Sequence, residues 1–407
     1  MLIIIMNKMA FLAFVVFLCG CTVVIRADDS GATAEGVAAV VSANDLFAIE
    51  LYSNISSSES GNIFFSPYSI STAMSMVYEG AAGGTADEII SVFHFPLDDS
   101  VRRSSVASIY NSLNGITSDY LLRTVNALWV QENYSILENF SDAVTNYYAG
   151  AARNLDFVGD TEGSRSTING WVESNTNGRI ADLIPSGALN DMTRLVLTNA
   201  IYFKGKWVNQ FDTDNTYNAG FTLNDGNSVS VDMMHLSDAE FNYAETDDLQ
   251  LLEMPYVGNA ISMLILLPDD MNILEDNFTL ENLNYWKSLL VEEDVEVFIP
   301  KFTFDTKYYL NSELSDMGMP SAFNPYDADL SGIDGLRDLY INFVIHQAFV
   351  AVDEEGTEAA AATAIGVGLT AMPVMHVFRA DHPFIFIIQD RTNGNILFLG
   401  RVMNPSE

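Results

Sequence analysis

Beyond residue 21 this chain contains no cysteine: its only two, Cys19 and Cys21, sit in an apolar amino-terminal run. Disulfide staples and thiol chemistry are therefore excluded from the folded part. Basic residues are scarce, 18 Lys and Arg against 54 Asp and Glu, for a formal charge of −36 over 407 residues. Such a surface repels nucleic acid, anionic membrane and heparin-like polyanions. It also suits saline surroundings, where screening weakens self-repulsion. Histidine is rare too, at His94, His235, His346, His376 and His382, and none falls in an H-E-x-x-H pattern. There is no G-x-S-x-G elbow and no P-loop. Gly366 to Ala371 matches the dinucleotide pattern G-x-G-x-x-A, yet Pro373 follows and no helical period does, whereas that fingerprint must open a helix. Asp327, Asp329, Ser331, Gly332 and Asp338 fall at EF-hand spacing, but the set ends in Asp rather than the longer Glu, and Asp334 occupies an apolar position of that loop. The expectation is a protein that is not an enzyme and holds no cofactor or metal.

No Pro/Gly/Ser-rich linker or repeat divides the chain after residue 42, so residues 42–407 read as one large domain. Strand-like runs at Leu121 to Val130, Arg194 to Phe203, Ile261 to Leu267, Val295 to Phe304 and Phe343 to Val352 mix with helical patterns at Asn44 to Ile55 and Ser141 to Tyr148. Thr85-Ala86-Asp87-Glu88 reads as a capping box that opens another helix. Strands without regular βα alternation imply an α+β class. Ahead of the domain, Met9 to Ile25 is an apolar run preceded by Lys8 and followed by Arg26 and two aspartates. Residues 1–27 thus read as a secretory signal peptide, with 28–41 a flexible segment behind it. Leu18-Cys19-Gly20-Cys21 also approximates a lipoprotein box, in which Cys21 would carry the lipid and tether the protein to a membrane. Asn54, Asn133, Asn139 and Asn277 open N-x-Ser/Thr sequons.

The distinctive stretch is Asp353 to Ala371, DEEGTEAAAATAIGVGLTA: two acids after an aspartate, one glycine, a run of small residues, then no charge. Small side chains cost little entropy to order and impose few steric demands. An Ala-rich run also suits a helix, but Thr357, Thr363, Gly366 and Gly368 weaken that reading. The apolar strand run FVIHQAFVAV precedes it; Phe378 to Ile388 and Ile396 to Gly400 follow as two strands joined through Asn393-Gly394.

A pliable loop between strands of one sheet system resembles the reactive-centre loop of the serpins. The family's carboxyl-terminal signature is matched by Phe378, Ala380, Asp381, His382, Pro383, Phe384 and Ile385. Phe64 to Ser71 (FFSPYSIS) is similar to the segment that opens the helix beneath the main sheet, and Thr198 to Trp207 (TNAIYFKGKW) to the central strand of that sheet. Ile168, Asn169, Trp171, Val172, Thr176, Gly178 and Ile180 match the helix crossing its front, and Asp329 to Ile333 is a further family segment. The match runs in order over roughly residues 42–404.

The resemblance implies three β-sheets, about nine helices and an exposed loop at about 354–377. It implies a monomeric inhibitor that traps a target protease as a covalent acyl-enzyme, because the cleaved loop adds to the main sheet as a strand. Glu354, Gly356, Thr357, Glu358, Ala359, Ala360, Ala361, Ala362 and Thr363 would form the hinge. Alternate residues Thr357, Ala359, Ala361 and Thr363 share one strand face and none is charged or large. Ser66, Ser69, Asn199 and His346, with Trp207 at the top of the sheet, would be the parts that hold it closed. The family's usual spacings, fourteen positions beyond the hinge glycine and thirteen before the signature proline, would both put the scissile bond at Thr370-Ala371, counted from Gly356 and Pro383, with Leu369 and Met372 as neighbours of second choice. No Lys or Arg lies between Gly356 and Val377, so elastase-, subtilisin- or chymotrypsin-like proteases are the expected partners. A cysteine protease target, or a serpin-fold carrier or chaperone without inhibitory action, stands as the alternative.

Overall fold

The computed structural model describes residues 26–114, 117, 119–357 and 376–407. Hydrogen bonding joins the described strands into two sheets. In the first, Leu195–Lys206 lies between Tyr120–Gln131 and Phe343–Val352; Ala151–Leu155 and Phe302–Tyr309 form the edges. The second runs from Ile63–Phe65 through Ile396–Val402, Phe384–Asp390, Ile261–Pro268 and Leu249–Pro255 to the long strand Ser228–Glu245. That strand shifts register between Leu236 and Ala239. Its first half, with Tyr217–Thr222, Val291–Pro300 and His376–Arg379, forms the small third sheet of the expected three. Ten α-helices are present among the described residues.

The central strand Leu195–Lys206 is buried on both faces over most of its length, which explains its near-continuous apolar sequence. Val196 and Ala200 face Ile168 and Val172 of the helix Thr161–Asn175, and Trp171 meets Trp129 edge-on at 5.3 Å. Leu195 and Leu197 face the opposite way, into the core shared with Ile70 and Met74. Those two belong to the helix Pro67–Tyr78, which is buried from Pro67 to Val77. Ser66 caps it by accepting from Ser69 N–H at 3.1 Å, and Pro67 fits the first turn, where no N–H is needed. The helix thus starts directly beneath the sheet.

Several elements differ from the sequence expectation. The first helix spans Ala34–Ser56, not Asn44 to Ile55, so residues 34–41 are not a flexible segment. Thr33 caps it by accepting from Gly36 N–H at 3.0 Å, and Val41 is buried in the core. The capping box at Thr85 is not made: its helix begins at Gly83, Thr85 Oγ1 accepts from Asp329 N–H, and Glu88 accepts from Ser321 N–H and hydroxyl. Both side chains serve a neighbouring loop instead. Val295 to Phe304 is two strands in different sheets, Val291–Pro300 and Phe302–Tyr309. Phe378 to Ile388 is likewise broken, into His376–Arg379 and Phe384–Asp390, with the proline of the Ala380 to Pro383 turn unable to donate to a ladder.

Candidate functional site: the sheet opening and the hinge

The strand Phe343–Val352 pairs in parallel with the central strand from Phe343↔Val196 to Ala348↔Ile201, and this register sets His346 opposite Asn199. Both are fully buried, as are Ser66 and Ser69 at the start of the underlying helix. The four make one chain of hydrogen bonds. Ser66 N–H donates to His346 Nε2 at 3.0 Å, and His346 Nδ1 meets Asn199 Oδ1. Asn199 Nδ2 donates to Ser69 Oγ and Asn126 Oδ1, while Ser66 Oγ donates to Leu397 O at 2.6 Å. An Nε2 that accepts from a backbone N–H carries no proton, so the imidazole is neutral with its proton on Nδ1. Burial pushes its pKa down to about 3. Asn126 was not singled out from the sequence. Its register partner across the strand pair is Asn199, a buried Asn–Asn pair that an apolar strand pattern hides.

Trp207 lies apart from that cluster, at the turn where the chain leaves Val352. Its backbone N–H donates to Glu355 O at 2.8 Å, its Nε1 to Asp353 O at 3.1 Å, and its ring stacks on Tyr256 at 4.4 Å. Asp353 Oδ1 accepts from the N–H groups of Glu355 and Gly356, which closes the turn. Glu354 pairs with Lys301 at 2.8 Å and accepts from Thr216 at 2.8 Å. Burial alone would raise its pKa; the Lys301 ammonium and Thr216 outweigh that and hold it low. Glu355 faces Lys206 at 3.4 Å. Every residue of the turn is thereby fastened to the top of the central strand or its neighbours.

Gly356 and Thr357 then enter the sheet. Gly356 pairs with Lys206, and Thr357 pairs with Gly205 on one side and Val352 on the other, all antiparallel. A Cβ on Gly356 would lie 2.0 Å from Gly205 O, so no other residue fits this approach. Thr357 is 2% exposed, and its hydroxyl lies 2.6 Å from Tyr256 Oη. Tyr256, Thr216 and Lys301 were not identified as site residues: each is distant in sequence, and only the fold brings it to the hinge. Glu358, Ala359, Ala360, Ala361, Ala362 and Thr363, with Leu369, Thr370, Ala371 and Met372, lie outside the described residues.

The far root of the loop is equally fixed. His376–Arg379 pairs in parallel with Val295–Phe298, and Phe378 is fully buried. His382 bridges Asp381 at 3.0 Å and Pro268 O at 2.9 Å, and the Asp381 carboxylate raises its pKa. The residues at EF-hand spacing are engaged internally: Asp329 accepts from Ser331 and pairs with Arg337 at 3.2 Å, and Asp327 accepts from Asn324. Of the sequons, Asn133, Asn139 and Asn277 are exposed and Asn54 is half-buried.

The central strands Leu195–Lys206 and Phe343–Val352 thus part at one end to admit Gly356 and Thr357. The family profile Serpin (serine protease inhibitor) matches residues 42–405. An uncharacterized serpin-like protein of Methanosarcina acetivorans is 44% identical over 90% of this chain and 86% of its own. The leukocyte elastase inhibitor of Homo sapiens is 41% identical over 89% and 99%. Among solved structures, uncleaved ovalbumin superposes with a TM-score of 0.85 at 31% identity, covering 90% of this chain and all of that one. Human thyroxine-binding globulin in its thyroxine complex gives 0.83 at 30%, covering 91% and 100%. The chain belongs to the serpin family.

Proposed function

We propose that this protein inhibits serine proteases by trapping them during cleavage of the segment 358–375. The observation that carries the reading is the seat of Thr357, inserted between two strands of the main sheet with Gly356 fitted against Gly205. Of the residues that follow, Ala359, Ala361 and Thr363, which alternate with Thr357, are neither charged nor large, and no Pro occurs up to Thr363 to stop the strand from lengthening. In the proposed reaction the protease serine attacks the carbonyl carbon of Thr370. The Thr370–Ala371 bond breaks, Ala371 leaves as an amine that takes up a proton, and Thr370 stays esterified to the enzyme. The freed strand then zips down from Thr357. The six register pairs from Phe343↔Val196 to Ala348↔Ile201 part to admit it, and with them the contact of His346 with Asn199. About ten new ladder bonds at ~1 kcal/mol net each, with apolar burial, supply on the order of 10 kcal/mol. That is enough to distort the protease site, provided insertion outruns hydrolysis.

The uncharged run Ile365 to Met372 and the relation to a leukocyte elastase inhibitor support elastase-like targets, with subtilisin- and chymotrypsin-like enzymes next. Export rests on the apolar leader. Ala27 is 3% exposed and both its backbone groups bond to Asn111, which supports a mature chain that retains it, as processing before Cys21 would leave. The test is to mix the protein with a panel of serine proteases. An SDS-stable complex and stoichiometric loss of protease activity are expected, with the released peptide beginning at Ala371. Clean cleavage by every enzyme, without complex or loss of activity, overturns the inhibitory reading and leaves a carrier of the same fold.

A further inference from the structure

The seat of Thr357 depends on a residue of the other sheet. Tyr256 follows the strand Leu249–Pro255 and is fully buried. Trp207 stacks on one face of its ring with an interplanar angle of 18°, and Phe203 meets it edge-on at 4.9 Å. A Cβ on Gly205 would stand 2.8 Å from the same ring, so the glycine is what lets the ring lie against the central strand. The phenol is thereby held rigidly, and its hydroxyl meets Thr357 Oγ1 as its hydrogen-bond partner among the described residues. Burial keeps the phenol protonated, with its pKa far above the ordinary tyrosine value.

Resting on the inhibitory reading above, we propose that Tyr256 is a positioning residue for strand insertion, holding Thr357 in the sheet so that growth of the new strand begins from a rung already formed. Withdrawal of Thr357 leaves two hydroxyls to find other partners, one of them enclosed between Trp207 and Phe203. Starting a strand costs more than lengthening it, because the first rung orders backbone before many bonds repay it. With Thr357 seated, that cost is met before the protease arrives. Without the seat it falls after acylation, in direct competition with hydrolysis. Tyr256 therefore acts on the partition between trapping and turnover and leaves the encounter with the protease unchanged.

The experiment uses a protease that the wild-type protein traps, which tests the inhibitory reading first and separately. Tyr256→Phe removes only the hydroxyl. The second-order rate of loop attack should stay within twofold of wild type, while the moles of inhibitor consumed per mole of protease trapped rise up to about fivefold, the effect one buried hydrogen bond allows. Thr357→Val should raise it similarly, and combining the two should add little, since both remove the same bond. Thr357→Ser, which keeps a hydroxyl, should show near-wild-type stoichiometry. Unchanged stoichiometry in Tyr256→Phe overturns the proposal. So do additive effects in the double variant, or a fall in the attack rate that accounts for the whole loss of trapping.

Discussion

At the scale of single residues, His346 ties the closed sheet to solution pH. Its neutral Nε2 is occupied by the Ser66 N–H, so a proton added there breaks that bond and places a charge in a fully buried site. The unfolded chain binds that proton below about pH 6.5, whereas the native one refuses it until about pH 3. The stability is present in full above pH 6.5 and falls as pH drops toward 3, by about 1.4 kcal/mol per unit, or about 2 kcal/mol at pH 5. Asp45 works in the opposite sense. Its buried carboxyl is pushed up to about 7, so its burden eases as pH falls. Comparing wild type with His346→Gln cancels that contribution, because Gln keeps an amide donor and acceptor but does not titrate. On going from pH 7 to pH 5 the urea midpoint of wild type should fall relative to that of the variant; equal changes in the two would show that His346 does not control the pH response. His346, Asn199, Ser66 and Ser69 were legible because each lies in a motif recognisable from its own neighbours. Asn126 and Tyr256 were not, since a buried amide in an apolar strand or a tyrosine before a turn has no local signature of its long-range partner.

At the scale of elements, three helices converge on one buried acid. Glu79, beyond the end of Pro67–Tyr78, accepts from Arg102 and Arg103 of the helix Asp99–Leu113 and from Tyr148 of Glu138–Tyr148. Its side chain and that of Arg102 are almost wholly buried, at 2% and 1% exposure. Burial raises the Glu79 pKa, but the bonds from Arg103, Tyr148 and Arg102 more than offset it and leave the carboxyl below its ordinary value. The network thus contributes above about pH 4.5 and is lost on further acidification. Glu79→Gln leaves the buried Arg102 guanidinium with only the exposed Asp99 as carboxylate partner, at 2.7 Å, and should cost up to about 3 kcal/mol, whereas Glu79→Gln combined with Arg102→Met should regain much of it. Thermal unfolding of both variants decides the matter; equal losses would mean that the charge is not what the acid compensates. None of this network was visible in the sequence, because spacing reveals partners within a helix and not between helices. The apolar strands were legible for the opposite reason: burial on both faces writes a continuous run. Their ends were less so, and the first helix gained a full ten residues from a cap at Thr33 and a core contact at Val41 that no motif announced.

At the scale of the whole molecule, the proposed inhibition requires that the resting fold leave a better-bonded arrangement unrealised. Over Phe343 to Ala348 the main sheet is closed by a parallel pair. Thr357 already shows the alternative, a strand antiparallel to both neighbours at once. Lengthening that strand from Thr357 to Thr370 replaces one parallel ladder with two antiparallel ones, which pair backbone groups along both edges and are somewhat stronger per residue. In the intact chain this cannot proceed, because the segment must also reach His376, which the parallel pairing to Val295 and the buried Phe378 hold in the other sheet. The proposed cleavage after Thr370 would remove that tether. A gain on the order of 10 kcal/mol should then raise the unfolding midpoint by about 13 °C for a domain of this size. Circular dichroism melting of one preparation before and after limited proteolysis within the loop measures it directly. The intact protein should unfold at moderate temperature and the cleaved one far above it. An unchanged midpoint would mean that the seat of Thr357 is an end point and not a beginning, and the chain would be a carrier built on an inhibitor's frame.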